Sequence, residues 1–210
     1  MPAKARKEIL DSTTETKIKT AARTVFHKKG LAGTRTRDIA KEANMNLALL
    51  NYYFGSKQKL FEVIMLESLV QFYATMGTVF NDETTTLEMK IELVVEKYID
   101  LIIAEPELPF FVINEIRNNG AAILDTLPVV NVILESAFIK QFNLAAKKGE
   151  ITEPNPLHFI MNLMGMVIFP FIGSPTLKKV GKLHDRQFNK LMLDRKKLIP
   201  IWVKSMLKAK

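Results

Sequence analysis

The stretch that decides the fold is Gly30–Phe61, which reads GLAGTRTRDIAKEANMNLALLNYYFGSKQKLF. It contains two short helical patterns separated by a tight Asn-Met-Asn turn, and a longer helical pattern precedes it. In the second short pattern Leu50 and Phe54 are four residues apart, which places both side chains on one helix face. Two short helices joined by such a turn and supported by a preceding helix predict a helix-turn-helix.

The first two helices have recognisable end signals. Ser12–Glu15 reads STTE, a capping-box pattern that predicts the start of the first helix, and Gly30 is a natural stop. Thr34 is the predicted N-cap of the second helix. Asn44, which tolerates the left-handed conformation, is the predicted end of that helix.

Asn46 is predicted to cap the third helix, and Gly55 with Ser56 separates it from a long helix that ends near Thr78. Further helices are predicted at 84–104, 108–118, 121–148, 155–173 and 185–208. No convincing strand alternation appears in the sequence. The predicted class is all-α, with a three-helix helix-turn-helix head (residues 1–60) joined by the long helix to a larger helical bundle (residues 61–210).

The positive charge is concentrated at one end of the chain. Of 210 residues, the first 60 hold 13 lysines and arginines against five acids, and residues 61–210 hold 17 of each. The whole net charge of +8 therefore lies in the head, which predicts an anionic partner, with nucleic acid first and an acidic membrane surface second. Lys4, Arg6 and Lys7 form a basic N-terminal arm that either reaches DNA or stays a disordered tail.

The composition excludes several kinds of active site. The chain has no cysteine, so it has no disulfide, thiolate metal site or cysteine nucleophile. Its three histidines lack metal-ligand spacing, and no Gly-rich phosphate loop or nucleophile elbow appears. We therefore expect neither catalysis nor a bound metal or cofactor.

The sequence also favours a cytoplasmic protein with no membrane partner. The first ten residues, MPAKARKEIL, lack the apolar run of a signal peptide. The longest apolar run, Leu163–Gly173, is interrupted by Pro170 and is well short of the roughly 20 residues that span a bilayer.

The third helix provides the predicted reading surface. With Leu50 and Phe54 pointing inward, Leu47, Ala48, Asn51 and Tyr52 point outward. Leu47 and Ala48 can contact thymine methyl groups, and Asn51 can pair with adenine N6 and N7. Phosphate contacts are expected from side chains beside this surface, namely Thr36, Arg37, Tyr52, Tyr53 and Lys57.

The stretch resembles the DNA-binding signature of the tetracycline-repressor (TetR) family over roughly residues 12–61. The matching positions are Gly30, Thr34, Arg37–Ala40, Ala43, Leu50, Tyr53, Phe54, Ser56 and Lys57. Asn44 departs from the family's usual glycine, and Leu49 and Asn51 stand where Thr and Tyr are common. The altered reading surface leaves the operator sequence open.

The resemblance implies a homodimer with two heads that bind a palindromic operator on double-stranded DNA. Such proteins usually repress transcription and are released by a small molecule, although an activator is an alternative. By position, Thr36, Arg37, Tyr53 and Lys57 match phosphate contacts of the family. Base contacts of the family match Leu47, Ala48 and Asn51.

The C-terminal part contains two candidate apolar surfaces. The resemblance implies that the last two helices form the dimer interface, with Phe188, Leu191, Met192, Leu198, Ile199 and Trp202 as candidate residues. The stretches Pro109–Asn119 and His158–Gly173 are rich in Phe and Met, which suit an adaptable apolar pocket. The candidate ligand-binding residues there are Phe110, Phe111, Asn114, Met161, Met164 and Phe169, and they favour an apolar effector.

Two other classes of function remain open from the sequence. The chain could be a helical interaction or scaffold protein whose basic head does not read DNA. It could also be a small-molecule-binding module whose basic end meets an acidic membrane surface. Salt-dependent binding to one duplex sequence distinguishes a DNA reader from both.

Overall fold

A computed structural model describes residues 3–119, 135–152 and 154–208. All regular secondary structure in these residues is α-helical, which confirms the predicted class. Numbered in chain order over the described residues, the helices are α1 (Ala3–Gly33), α2 (Thr36–Glu42), α3 (Leu47–Phe54), α4 (Lys57–Asn81), α5 (Leu87–Ala104), α6 (Leu108–Asn119), α7 (Ala137–Lys147), α8 (Pro156–Ile172), α9 (Ser174–Gly181) and α10 (Asp185–Leu207).

The chain divides into two compact units, Met1–Ser68 and Leu69–Lys210. The division falls inside α4, which is one uninterrupted helix from Lys57 to Asn81. The first unit therefore contains α1 to α3 and the first half of α4, and the second unit contains the remaining helices.

The first unit is built around a small apolar core to which all four of its helices contribute. Phe26 of α1 meets Phe61 of α4 edge to face, with ring centroids 5.2 Å apart. Around this pair lie the buried side chains Ile18, Ala22, Val25, Ile39, Leu50, Phe54, Leu60 and Ile64. The small residues of α1 and α2 let the helices approach closely, which is how so short a segment can bury a core.

Helix α1 differs from the prediction at its start. It begins at Ala3, so Ser12 lies inside the helix and does not cap it, and the predicted basic arm forms its first turns. The predicted stop at Gly30 is visible as a break, since Gly30 has φ 65° and ψ 172° within the helix. This left-handed φ suits glycine, which has no Cβ to clash with the backbone.

In the described residues of the second unit, helices α4, α5, α7, α8 and α10 pack around a larger core. Helix α5 runs antiparallel to α10, because Lys204 pairs with Glu88 at one end and Lys196 pairs with Asp100 at the other. Aromatic rings from α4, α7, α8 and α10 fill the space between the helices, namely Phe80, Phe138, Phe142, Phe159, Phe171 and Phe188.

Two element predictions for the second unit need correction. The predicted helix 121–148 is interrupted at Ser136, which is extended and caps α7 through a bond from the Ile139 N–H, and residues 120–134 lie outside the described part. Helix α9, with a proline in its first turn, lies between the predicted helices 155–173 and 185–208, where no helix is predicted. Pro200 lies inside α10, which continues to Leu207.

Among the described residues, α4 is long and apolar enough to cross a membrane. The pair α8 and α9 passes the same test only as one span bent by 70°. In α4, 44% of the apolar window is buried inside the protein. Length and composition therefore do not distinguish α4 from an ordinary core helix.

Candidate nucleic-acid interface

Helix α2 starts one residue later than predicted. Arg35 is its N-cap, and the Asp38 carboxylate accepts a hydrogen bond from the Arg35 N–H at 3.2 Å. Thr34 is buried, and its hydroxyl donates to the carbonyl oxygen of Gly30 at 2.7 Å. The prediction of Thr34 as N-cap is wrong because its side chain secures the end of α1 instead.

An ion pair holds the start of α2 against α1. The Lys29 ammonium lies 2.9 Å from the Asp38 carboxylate. This ammonium, and after it the Arg35 N–H, holds the pKa of Asp38 below its usual value of 3.8. The two paired residues are nine positions apart and lie in different helices, so the periodicity of neither helix could indicate the contact.

The turn between α2 and α3 is built as the sequence predicted. Asn44 has a left-handed φ of 53°, and the Met45 N–H donates to the Ala40 carbonyl at 2.9 Å. Asn46 then caps α3, because its side-chain oxygen accepts a hydrogen bond from the Ala48 N–H at 2.7 Å. These local bonds fix the direction in which α3 leaves the turn.

Helix α3 has the two faces that its sequence predicted. Leu50 and Phe54 are buried in the first unit. Ala48, Asn51 and Tyr52 are exposed, with Tyr52 at 80%, while Leu47 and Tyr53 are half-buried. The two tyrosine rings lie edge to face with centroids 5.3 Å apart. The exposed face thus offers an amide, a methyl group and a phenol side by side.

The first turn of α2 lies beside this face in the chain. Arg37 is exposed there, and Thr36 is half-buried. A guanidinium and a hydroxyl at such a position can meet the phosphate backbone of a duplex whose bases contact α3.

Lys57 is placed differently from a free phosphate ligand. It is half-buried, and its ammonium donates to the carbonyl oxygens of Leu31 and Thr34, each at 2.8 Å. Two of its three protons therefore stabilise the segment between α1 and α2. The prediction of Lys57 as a plain phosphate contact missed this role, since it depends on a contact between residues 23 and 26 positions apart.

The candidate ligand-binding residues do not form one enclosed surface within the described residues. Phe111 is buried and Met164 packs against the core, whereas Phe110, Asn114, Met161 and Phe169 are exposed. The structure has a groove of about 1000 Å³ elsewhere in this unit, between α5, α7 and α10, and none of the six lines it.

Half of the candidate dimer residues belong to the core of a single chain. Phe188, Met192 and Ile199 are buried in the second unit, so they are not available to a partner and their assignment to an interface is wrong. Leu191, Leu198 and Trp202 are exposed. The Arg195 guanidinium lies over the Trp202 ring at 5.1 Å and donates to the Met166 carbonyl of α8 at 2.7 Å.

Comparison with known proteins agrees with this geometry. Residues 18–64 match the family model described as bacterial regulatory proteins, tetR family. A Bacillus subtilis (strain 168) protein named Probable HTH-type transcriptional regulator YttP is 27% identical over 206 residues, which cover 94% of this chain and 95% of that protein.

Solved structures of two transcriptional regulators share the fold. The hemolysin II regulator HlyIIR has a TM-score of 0.56 at 20% identity, covering 95% of this chain and 99% of that one. FadR from Bacillus subtilis, solved in complex with stearoyl-CoA, has a TM-score of 0.55 at 19% identity, covering 91% and 98%. Residues 18–64, which contain the helix-turn-helix formed by α2 and α3, are therefore a helix-turn-helix domain of the TetR family of bacterial regulatory proteins.

Proposed function

We propose that this regulator is a homodimeric repressor that reads a palindromic operator through α3 and is released by a small, largely apolar effector. The observation that carries the proposal is the exposed face of α3, where Ala48, Asn51 and Tyr52 stand on a helix fixed by a cap and a buried face. The net charge of +8 in the first 60 residues supports it, because phosphate contacts supply most of the affinity for a duplex.

Each side chain of the reading surface has a proposed role. Leu47 and Ala48 contact thymine methyl groups, and Asn51 pairs with an adenine edge. The positions around them bind phosphate oxygens, namely Thr36, Arg37, Tyr52 and Tyr53. Lys57 supports these contacts indirectly, because it holds the segment between α1 and α2 in place.

The two parts of the chain have separate proposed tasks. Residues 1–60 bind DNA, and residues 61–210 bind the effector and form the dimer. As a regulator of transcription, the protein acts in the cytoplasm, where the bacterial chromosome lies.

Exposed apolar stripes on α8 and α10 support the homodimer. On α8, Leu157, Met161 and Phe169 are exposed on one side, with Gly165 between them. A Cβ added at Gly165 would meet nothing within 4 Å, so a partner helix can approach closely there. Leu191, Leu198 and Trp202 form the corresponding stripe on α10. Contiguous exposed apolar side chains of this kind are typical of an interface.

Response to a small molecule is supported by the shared fold and by the groove of the second unit. FadR, which has this fold, was solved with stearoyl-CoA. A groove of about 1000 Å³ is at the upper end of the range for small-molecule sites.

Selection of bound duplexes from a random library, at physiological salt, tests the proposal. A two-fold symmetric motif recovered by the purified protein is the expected result. Recovery of unrelated sequences, with only weak salt-sensitive binding, would contradict operator recognition and favour the scaffold alternative. Transcription from a promoter that contains the selected motif then distinguishes repression from activation.

A further inference from the structure

The groove of the second unit has an apolar floor that is open to solvent. Its walls are α5 on one side, α10 on the other, and the end of α7 with the segment that follows it. Leu144 and Ile201 line it and are both more than half exposed, and Leu87, Ile91 and Ile151 lie deeper. Exposed apolar side chains in a concave site are favourable contacts for an aliphatic ligand.

The charges along the groove are unevenly placed. At the end where α5 begins and α10 finishes, three lysines (Lys148, Lys204 and Lys208) face two acids (Glu88 and Glu150). Lys204 is paired with Glu88 at 3.1 Å. In the part of the chain that the structure describes, Lys148 and Lys208 are paired with no acid. The first turn of α5 adds the positive end of its helix dipole.

The other end of the groove is electrically balanced. There α5 contributes Glu92 and Glu96, and α10 contributes Lys196 and Lys197. Lys196 is further engaged by Asp100 of α5. An anionic group is therefore favoured at the first end only, and the apolar floor continues from it along α10.

We propose that this groove is the effector site and that it binds a single-chain amphiphile with an anionic head. The head lies beside Lys148 and Lys208, and the aliphatic chain follows Leu144 and Ile201. The claim that the groove binds the effector rests on the proposed function. The claim that it prefers an amphiphilic acid does not. The groove also stays accessible in the proposed dimer. At 100° per residue, Lys204 lies roughly 120–160° around α10 from Leu191, Leu198 and Trp202, while Ile201 lies roughly 60–100° from them, at the edge of the groove nearer the stripe.

A chain of hydrogen bonds leads from the groove to the end of α4. Gln141 lines the groove, and its amide donates to the Thr85 carbonyl at 2.9 Å. The same carbonyl and the Thr85 hydroxyl accept from the buried ammonium of Lys90, each at 2.8 Å. Lys90 also donates to the Asp82 carbonyl, just beyond the last residue of α4.

Gln141 is the residue through which a ligand can act on this turn. Its side-chain oxygen is buried and has no hydrogen-bond partner in the described residues. A buried acceptor left unpaired is unfavourable, so a ligand that rotates this amide can give the oxygen a partner at the expense of the bond to the Thr85 carbonyl. Because α4 continues into the first unit, a change at the turn that ends it can be transmitted along the helix.

Binding of dansyl-labelled undecanoic acid, followed by fluorescence and competed with hexadecanoate, tests the site. Ile201→Glu should raise the Kd of the probe at least about tenfold, since it places a charge on the apolar floor. Val180→Glu, at a 78% exposed position of α9 away from the groove, is the matched control and should bind like the wild type. Equal binding by Ile201→Glu would overturn the assignment of the groove.

The anionic head has its own test. The double variant Lys148→Ala, Lys208→Ala should raise the Kd of the labelled acid about tenfold, because a charge-assisted contact is lost. Its affinity for undecanol, which has the same chain without the charge, should not change. A double variant that binds acid and alcohol as the wild type does would overturn the predicted headgroup preference.

Release of DNA separates the inference from the proposed function. Hexadecanoate should release the selected duplex from the wild type, while Gln141→Leu should bind the probe but respond with a smaller release. A protein that binds its operator but neither binds nor responds to the acids overturns the inference alone. A protein that binds no operator, yet binds the probe through Ile201, overturns the proposed function and supports the ligand assignment.

Discussion

The ammonium of Lys57 shows how a single contact separates two roles that the sequence cannot distinguish. A phosphate ligand contributes to counterion release and so to the salt dependence of binding. A group that ties two carbonyl oxygens contributes instead to the stability of the unit that contains them. With bonds to Leu31 and Thr34 in place, the second contribution should dominate.

Replacing Lys57 by alanine should therefore reduce stability and affinity together. We expect Lys57→Ala to lower the free energy of unfolding by about 1–3 kcal/mol, because two partly buried carbonyl groups lose their donor. Operator affinity should fall, while the slope of log Kd against log salt should stay as in the wild type. Chemical unfolding and a salt titration measure the two effects.

Lys59→Ala is the matched control, since Lys59 is exposed in the same helical turn. It should leave stability unchanged. If Lys57→Ala were fully stable and changed the salt slope by about 0.9, the value for one phosphate contact, Lys57 would be a phosphate ligand after all.

Asn51 is the residue on which sequence preference should depend. An amide that pairs with adenine N6 and N7 contributes about 1–3 kcal/mol of discrimination. Asn51→Ala should therefore relax the preference at one symmetric pair of operator positions, seen by repeating the duplex selection. Tyr52→Phe, which removes only a phenol hydroxyl, should weaken binding to all duplexes alike. An unchanged motif for Asn51→Ala would refute the base contact.

At the scale of elements, local signals were predictable and long-range contacts were not. Three features follow from residues within four positions of each other, and the structure confirms all three: the turn at Asn44, the cap at Asn46 and the buried pair Leu50 and Phe54. The prediction for Thr34 is wrong because its hydroxyl donates to the Gly30 carbonyl and does not cap the N–H groups of α2. A sequence pattern cannot rank two such partners.

The same reasoning explains the outcome for α10. The sequence analysis assigns its apolar residues to a dimer interface, although they divide between the core of the second unit, an exposed stripe and the groove. Phe188, Met192 and Ile199 are buried, whereas Leu198 and Ile201 are exposed. Hydropathy alone indicates that a helix is covered but not by what, so the division needed the packed structure.

The link between α1 and α2 should be sensitive to acid. Because the Lys29 ammonium and the Arg35 N–H lower the pKa of Asp38, its contribution to stability is present above the usual value of 3.8. It is lost as pH falls through the lower pKa of the folded state. Asp38→Asn should therefore be less stable than the wild type near neutral pH, and the difference should shrink at the acid end.

Thermal unfolding followed by circular dichroism from neutral to acid pH measures this difference. The exposed pair Lys190 and Asp194 within α10 offers a control, since Asp194→Asn breaks an ion pair that joins no two helices. A stability gap for Asp38→Asn that stayed constant down to the lowest pH would rule out the ion pair as its source.

For the whole molecule, the proposed dimer should decide whether the heads can act together. Each head reads a half-site, so a symmetric operator is bound tightly only when two chains are joined. Leu198→Glu places a charge in the exposed stripe of α10 and should shift the protein from dimer to monomer in sedimentation velocity. Operator affinity should fall with it.

The helical content of Leu198→Glu should stay that of the wild type, because Leu198 is outside the core of the chain. Val180→Glu adds the same charge at another exposed position and should remain dimeric. A Leu198→Glu protein that still sediments as the wild type does would exclude this stripe from the interface.

The buried side chain of Lys90, which α5 places against the turn that follows α4, can report how often that turn opens. Lys90 is 0% exposed, so an amine-acylating reagent can reach its nitrogen only while the surrounding turn is open. Its labelling rate, resolved by peptide mass spectrometry against the exposed Lys147 as internal standard, thus counts the openings of that turn in the unmodified chain. Such openings leave no trace in a static structure, and this one amine would record them in solution.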